Sequence, residues 1–250
     1  MSKTVVLILL TAVCLIAMAA DVGAQAIPKV SIEVGKATKP GDLSVTLQIV
    51  ILLTVLALAP SILIMTTSFI RIAVVLSFLR HAIGTQQMPP NQLLIGLALI
   101  LTMFIMSPVA TVSYNEGVKP YLDEKITKEE AYDKAVAPFR KFMLAQTREQ
   151  DLSLFVNMSK MPAPKNADDI PLQVLVPGFV ISELRTSFQI AFVIFIPFLV
   201  IDMVVASVLM SMGMMMLPPS IVSLPFKLLL FVLVDGWYLL VKSLVESFHM

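Results

Sequence analysis

The chain has 250 residues, of which 58% are hydrophobic and only 14% are charged, and its mean hydropathy is +0.90. Because soluble domains carry about a quarter charged residues, this composition excludes an ordinary soluble protein and predicts an integral membrane protein. The formal net charge of +1 argues against a basic surface for nucleic acid. The single cysteine, Cys14, has no partner for a disulfide within the chain.

Residues 1–26 have the features of a secretory signal peptide. A basic residue near the start precedes an apolar stretch at 5–20, and a small-x-small pattern ends at Ala26. We predict cleavage after Ala26, with cleavage after Ala20 or a retained membrane helix as the alternatives. Cleavage would place the mature N-terminus, a polar segment at 27–42, outside the cytoplasm of a bacterium.

Residues 43–112 are predicted to form a first helical hairpin. The apolar sequence from 43 to 83 contains Pro60 and, as one helix, would span about 60 Å, against about 30 Å of hydrocarbon. It is therefore predicted to be either a kinked helix that extends beyond the bilayer or two shorter pieces. A turn at 84–90 and a second apolar helix at 91–112 complete the hairpin.

Residues 113–185 are predicted to form a small helical extramembrane domain on the periplasmic side. They hold ten Lys or Arg and eleven Asp or Glu, more than half of the charged residues. Thr127 and Glu130 fit a capping box at a helix start. Pro138 suits the first turn of a further helix, and Asp151 suits the start of another.

Residues 186–250 are predicted to contain most of a second helical hairpin. Its first arm is expected from about 178 to 216, with a kink at Pro197, followed by a turn at 217–220 and a return arm. The sequence thus predicts an all-α membrane protein with about four apolar crossings. Two long hairpins flank the charged domain, and both short turns face the cytoplasm.

Catalytic motifs are missing from the sequence. It contains no HExxH, GxSxG, phosphate-binding GxxxxGK[ST] or glycine-rich dinucleotide motif. The two histidines, His81 and His249, are far apart in the chain. We therefore predict no enzymatic activity, no cofactor and no metal site.

Four ionisable residues interrupt the apolar stretches: Arg71, Asp202, Lys227 and Asp235. Such residues are costly in a membrane unless they are paired or hydrated. Asp202 and Asp235 lie at nearly equal distances on either side of Pro218, and Arg71 lies at a comparable distance before the first turn. We predict that Arg71 neutralises one or both acids, within one chain or between copies. A proton relay is the alternative interpretation.

A cluster of methionines precedes the double proline at 218–219: Met210, Met212, Met214, Met215 and Met216. Thioethers bind Cu(I), so copper is one interpretation, although no His or Cys accompanies them. Core filling at a hairpin tip is a second. A third follows from the adaptability of the methionine side chain: several copies around an axis would form a flexible apolar constriction.

Three long blocks of sequence, 60–109, 177–220 and 224–237, closely resemble the FliP family of type III secretion export gates. This family also includes the homologous SctR subunits of virulence systems. The resemblance extends over about 43–248. It implies an all-helical assembly of about five copies with FliQ and FliR, raised above the bilayer plane. It further implies that the protein lies in the bacterial inner membrane at the flagellar basal body, beside other export components. The implied substrates are unfolded flagellar proteins.

The resemblance also implies roles for particular residues. The methionine turn, above all Met212 and Met214–Met216, looks like the gasket that closes the channel. Glu183, with Arg185 beside it, resembles the channel-forming region of the family. Phe142 and Phe155 resemble aromatic residues of subunit contact and gate stability. From the residues alone, a secondary transporter that uses Asp202 and Asp235 is the leading alternative, followed by a methionine-rich copper protein.

Overall fold

The computed structural model describes residues 40–85, 88–159, 166, 169–214 and 216–248, with side chains from 47 onward. The predicted signal peptide at 1–26 and most of the polar segment at 27–42 lie outside these residues. Contacts divide the chain into two compact units, one ending at Thr54 and one beginning at Val55. The buried core lies in the second unit.

The described residues form nine α-helices and one π-helical turn, with no strand among them. In chain order these are α1 (Pro40–Thr66), α2 (Phe69–Ile83), α3 (Asn91–Ser113), the π turn (Tyr114–Val118), α4 (Lys119–Leu122), α5 (Lys128–Gln146), α6 (Glu149–Met158), α7 (Leu172–Ser211), α8 (Pro219–Leu233) and α9 (Gly236–Glu246). Within the described part of the chain, three helical stretches are long and apolar enough to cross a membrane: Leu47–Thr66, Asn91–Leu122 and Leu172–Ser211. The bent pair α8–α9 would make a fourth. The predicted all-α membrane fold with about four crossings is confirmed.

The first arm consists of two helices, and the break does not lie at Pro60. Pro60 lies inside α1, whereas the helix ends at Thr66 and restarts at Phe69. The hydroxyls of Thr66 and Thr67 bond back to the carbonyls four residues earlier, at 2.8 and 2.7 Å. The break therefore lies at Thr67 and Ser68 and not at the proline.

The second helix of the hairpin is confirmed by α3. The helical path continues past Ser113 through the π turn. Gly117 lies in this turn, and a Cβ added there would lie 2.6 Å from the backbone nitrogen of Ala135 in α5. The absence of a side chain therefore permits α5 to approach the π turn closely.

The charged region forms α5 and α6. Thr127 caps α5 as predicted, since its hydroxyl accepts a 3.3 Å hydrogen bond from the Glu130 amide. The Glu130 carboxylate, however, pairs with Lys134 one turn later, at 2.8 Å. The prediction for Pro138 was wrong, because it lies inside α5. Asp151 lies in the first turn of α6, as expected.

The second hairpin is built from a 40-residue helix, α7, and a broken return arm. α7 crosses the predicted domain boundary at 185 without interruption and contains both Pro177 and Pro197. The return arm, predicted as one piece, bends by 64° between α8 and α9. Asp235 lies at the bend with a left-handed φ of 51°. The division of the chain into domains stays a prediction.

The core lies where α2 packs along α7. Ile72, Val75, Leu76 and Leu79 occupy one face of α2 at helical spacing and are at most 2% exposed. Phe179 of α7 is fully buried with them. This packing fixes the positions of the charged side chains carried by the same two helices.

Candidate functional site

The most deeply buried charges form an ion pair between α2 and α7. Arg71 is 2% exposed and Glu183 is fully buried. The Arg71 Nε donates to Glu183 Oε2 at 2.9 Å, and Nη2 donates to Oε1 in a short contact. Two parallel bonds from a planar guanidinium to one carboxylate are the strongest and most directional form of this interaction.

The other donors of Arg71 reach two further parts of the chain. Nη2 donates to the side-chain oxygen of Gln146 in α5 at 3.2 Å. Nη1 donates to the carbonyl and the hydroxyl of Ser247, after α9, at 2.7 and 3.0 Å. A guanidinium has five N–H groups, and these five bonds use all of them. Arg71 therefore ties together α2, α5, α7 and the segment after α9.

Aromatic rings cover this cluster. The Phe248 ring lies 3.9 Å from the guanidinium carbon of Arg71, a cation–π contact. The Phe142 ring stacks on the Phe248 ring, with 6.3 Å between the ring centroids, and meets the Phe179 ring edge-on, with 6.0 Å between centroids. The resemblance assigns Phe142 to subunit contact or gate stability; in the chain it is 5% exposed and packs within the core.

A second ion pair joins α7 to α8. Lys227 Nζ lies 2.6 Å from Asp202 Oδ2, and the Ser223 hydroxyl donates to Asp202 Oδ1 at 2.5 Å. Lys227 also donates to the carbonyl of Ala82 at 3.3 Å. Ala82 lies in the last turn of α2, where the free carbonyls of a helix attract a cation. Lys227 thus holds three helices at one point.

Within the chain, the predicted pairing of Arg71 with Asp202 or Asp235 was wrong. Arg71 binds Glu183, and Asp202 binds Lys227. The prediction counted residues from Pro218 as if all of them were helical. Asp202 lies nine residues before the end of α7 and Lys227 eight after the start of α8, so each lies roughly 12–14 Å along its helix from the turn. The nonhelical turn adds residues without adding helical rise.

Asp235 is exposed at the bend between α8 and α9 and takes no part in the ion pairs found among the described residues. Gly236 follows it, and a Cβ there would lie 2.2 Å from the Phe231 ring. Trp237 packs edge-on against the same ring at 5.5 Å. The bend is therefore a packed feature of the fold, whereas the sequence analysis predicted a return arm in one piece.

The methionine turn begins with a well-formed helix end. Gly213 has a φ of 76°, its amide donates to the Met210 carbonyl at 3.0 Å, and the Met214 amide donates to the Leu209 carbonyl at 3.0 Å. These two bonds and the left-handed glycine constitute a Schellman motif. The backbone that carries the methionines is thus held by the end of α7.

The side chains of this turn point largely away from the chain. Met210 and Met212 are 64% and 65% exposed, Met216 is 97% exposed, and Met214 is half-buried. Met215 lies outside the described residues. Core filling within one chain was therefore a wrong interpretation for the exposed methionines. Isolated apolar side chains are common on surfaces, but a cluster indicates a contact with another apolar partner.

Two other residues were assigned by resemblance. Arg185 is exposed on α7, two positions from the buried Glu183. Phe155 is half-buried in α6, and its ring borders Gly178 of α7. Their assignment to a channel region or subunit contact stays a prediction, as does that of Glu183, whose side chain faces the interior of the chain.

Reasoning from the residues did not identify Gln146, Ser223, Ser247 or Phe248 as members of these clusters. For Ser223 and Ser247 the available signal is an uncharged polar residue inside or beside an apolar stretch, and many other Ser and Thr residues share it. Ser247 is 176 positions from Arg71, so no local pattern connects the two.

Comparisons with known proteins extend over nearly the whole chain. The model of the FliP family matches residues 52–244. The flagellar biosynthetic protein FliP of Bacillus subtilis (strain 168) is 58% identical over 217 residues, which cover 87% of this chain and 98% of the relative. The protein of the same name from Caulobacter vibrioides is 56% identical over 90% of this chain and 85% of its own length. That of Aquifex aeolicus is 48% identical over 89% and 92%.

Proposed function

The chain belongs to the FliP family, and we propose that it serves flagellar biosynthesis as a core subunit of the type III protein export gate. About five copies, together with FliQ and FliR, form the channel through which unfolded flagellar proteins leave the cytoplasm. The assembly lies in the bacterial inner membrane at the flagellar basal body, in contact with other components of the export apparatus.

The exposed methionine turn is the observation that supports a channel role most directly. Its side chains have no core of their own to fill, and the Schellman motif holds their backbone at the tip of a long helix. Methionine is apolar, unbranched and adaptable. A ring of such turns from several copies would exclude water and ions, and would yield to a passing polypeptide without a fixed shape.

The buried ion pairs supply the rigidity that such a turn needs. Lys227 and Asp202 join the two arms about eight to nine residues from their ends at the turn. Arg71 and Glu183 join α7 to α2 farther from the turn. In this proposal the charges are structural ties, and the subunit performs no catalysis and carries no cofactor.

The geometry gives less support to a proton-coupled transporter. Asp202 is neutralised by Lys227 and accepts a hydrogen bond from Ser223. Asp235 lies at an exposed bend past the end of α8. A carrier would need these acids free to bind a proton or an ion at one place.

The experiment that tests the channel is a replacement of Met214–Met216 by alanine in the full chain, co-expressed with FliQ and FliR. We expect the complex to assemble, with a native mass that corresponds to about five copies plus partners, and the membrane to leak ions. The matched control replaces Met103 and Met203, which are 74% and 63% exposed on α3 and α7, away from the turn. The control should assemble without a leak.

Two results would contradict the proposal. An assembled variant complex that stays as tight as the parent would refute the gasket. A parent protein that remains a monomer or dimer with no partner bound would refute the channel.

A further inference from the structure

The short segment after α9 makes several of the contacts of the Arg71 side chain. α9 follows a 64° bend and buries one side through Leu240 and Leu244. Beyond its end, Ser247 receives two of the five Arg71 hydrogen bonds, and Phe248, 4% exposed, covers the guanidinium. The far end of α9 is therefore anchored to α2 by these two residues.

The chemistry of this anchor is that of a helix end. The last carbonyls of an α-helix have no partner within the helix and carry partial negative charge. Arg71 donates to the Ser247 carbonyl at 2.7 Å, which satisfies such a group with a buried cation. Phe248 closes the apolar side of the same contact and stacks on Phe142 of α5.

The other end of α9 begins at a sharp bend that contains one strained residue, Asp235. Asp235 adopts a left-handed conformation, with a φ of 51°, which a residue with a Cβ adopts at a cost. The following Gly236 admits the Phe231 ring at a distance that no side chain would permit. α9 is thus connected to α8 by a sharp bend at its start and held to the chain body by a specific contact at its end.

We propose that Ser247 and Phe248 form a latch: by closing over Arg71, they hold α9 at its bent angle, and their release lets α9 move about the bend at Asp235. The latch would set the geometry of the return arm that starts at the methionine turn. This inference does not depend on the channel proposed above, because it concerns the conformation of one chain.

The test measures the distance between two spin labels, one of them on α9, by pulsed electron–electron double resonance. Cysteines that carry spin labels replace Lys242 of α9 and Tyr132 of α5. The side chain of Lys242 is 51% exposed, and Tyr132 is 61% exposed. Cys14 is replaced by Ser, and labelled chains are diluted with unlabelled ones in detergent. A chain that stops after Glu246 is compared with one that stops after Phe248, so that only the second retains the latch.

We expect one narrow distance in the chain that stops after Phe248, as in the full chain. Without the latch, the distance should broaden or shift by about 10 Å, since position 242 lies roughly 10 Å along the helix from the bend and the available swing is of the order of the 64° bend. An unchanged narrow distance in the chain that stops after Glu246 would overturn the latch.

A second pair of labels distinguishes release of α9 from loss of the fold. Labels at Tyr132 and Leu154, on α5 and α6, should keep their distance in every variant. Broadening of both pairs would mean that the last residues hold the whole fold together, and this too would overturn a latch. If the shorter chain cannot be purified, Phe248→Ala replaces it, with Phe248→Tyr as the control that keeps the ring. A narrow distance in both of these variants would likewise refute the proposal.

Discussion

The replacement of Arg71 by methionine, which is also long and flexible but carries no charge, removes the buried ion pair together with the hydrogen bonds to Gln146 and Ser247. Glu183 is fully buried and would lose two charge-assisted hydrogen bonds while it stayed in an apolar environment. Breaking a buried pair by removing one partner typically costs about 3–5 kcal/mol. For a chain of 150–250 residues this corresponds to a fall in the melting temperature of roughly 10 °C.

The size of the effect depends on the partner that remains. In the double variant Arg71→Met with Glu183→Gln, no unpaired charge is left at this site, so part of the lost free energy of unfolding should return, while the hydrogen bonds to Gln146 and Ser247 remain lost. Arg71→Lys should be intermediate, since an ammonium keeps the charge but cannot supply the five-donor fork. Arg185→Met, an exposed site on the same helix as Glu183, is the matched control and should change stability by less than about 0.5 kcal/mol.

The assay is thermal unfolding of the detergent-solubilised full chain, complemented by a double-mutant cycle for Arg71 and Glu183. The cycle should give a coupling free energy of at least about 2 kcal/mol, near the upper range for residues in direct contact. If the single variants were as stable as the Arg185 control, or if their effects simply added, the two side chains would not form the tie described above, and the packing of α2 on α7 would not depend on it.

Two further changes test the second tie and the bend. Lys227→Met should lower the free energy of unfolding by about 1–3 kcal/mol. The loss should be smaller than for Arg71→Met because the Asp202 side chain, which would lose its partner, is 34% exposed to solvent. Lys242→Met, at an exposed ion pair on α9, is the control, and equal losses at both sites would contradict a structural role for the Lys227–Asp202 pair. Gly236→Ala should lower the free energy of unfolding by about 1–3 kcal/mol because the new methyl group would overlap the Phe231 ring. Gly96→Ala, at a position with open space around it, is the control and should be neutral or stabilising by up to about 1 kcal/mol. An unchanged melting temperature for Gly236→Ala would refute the close packing of the bend.

Several elements could be predicted from the sequence because their causes are local. The helix at 91–112 is fixed by an apolar stretch that follows a double proline, and α3 has almost the same bounds. The cap at Thr127 requires only residues within one turn of each other. The all-helical membrane class and about four crossings follow from hydropathy and length. Resemblance in long blocks was enough to identify the FliP family.

Two other features were not predicted, although the residues involved are close together in the chain. The apolar sequence through 234 gave no sign of the bend at Asp235, which depends on how the Phe231 ring packs against Gly236. Pro138 was placed at a helix start by a general preference, yet the surrounding helix accommodates it. Packing around Gly236 accompanies the bend, and at Pro138 the general preference for a helix start did not apply.

The sequence by itself determined which charged residues interrupt apolar stretches and are therefore costly without a partner. It named Arg71, Asp202, Lys227 and Asp235, of which Asp235 proved to be exposed, and it did not place the fully buried Glu183 among them. Only the tertiary structure decided that Arg71 binds Glu183, 112 positions away, and that Lys227 binds Asp202. Hydropathy and helical period report the depth and face of a residue on its own helix, whereas the partner of a charge depends on where helices end, how long the turns are and which helices pack side by side.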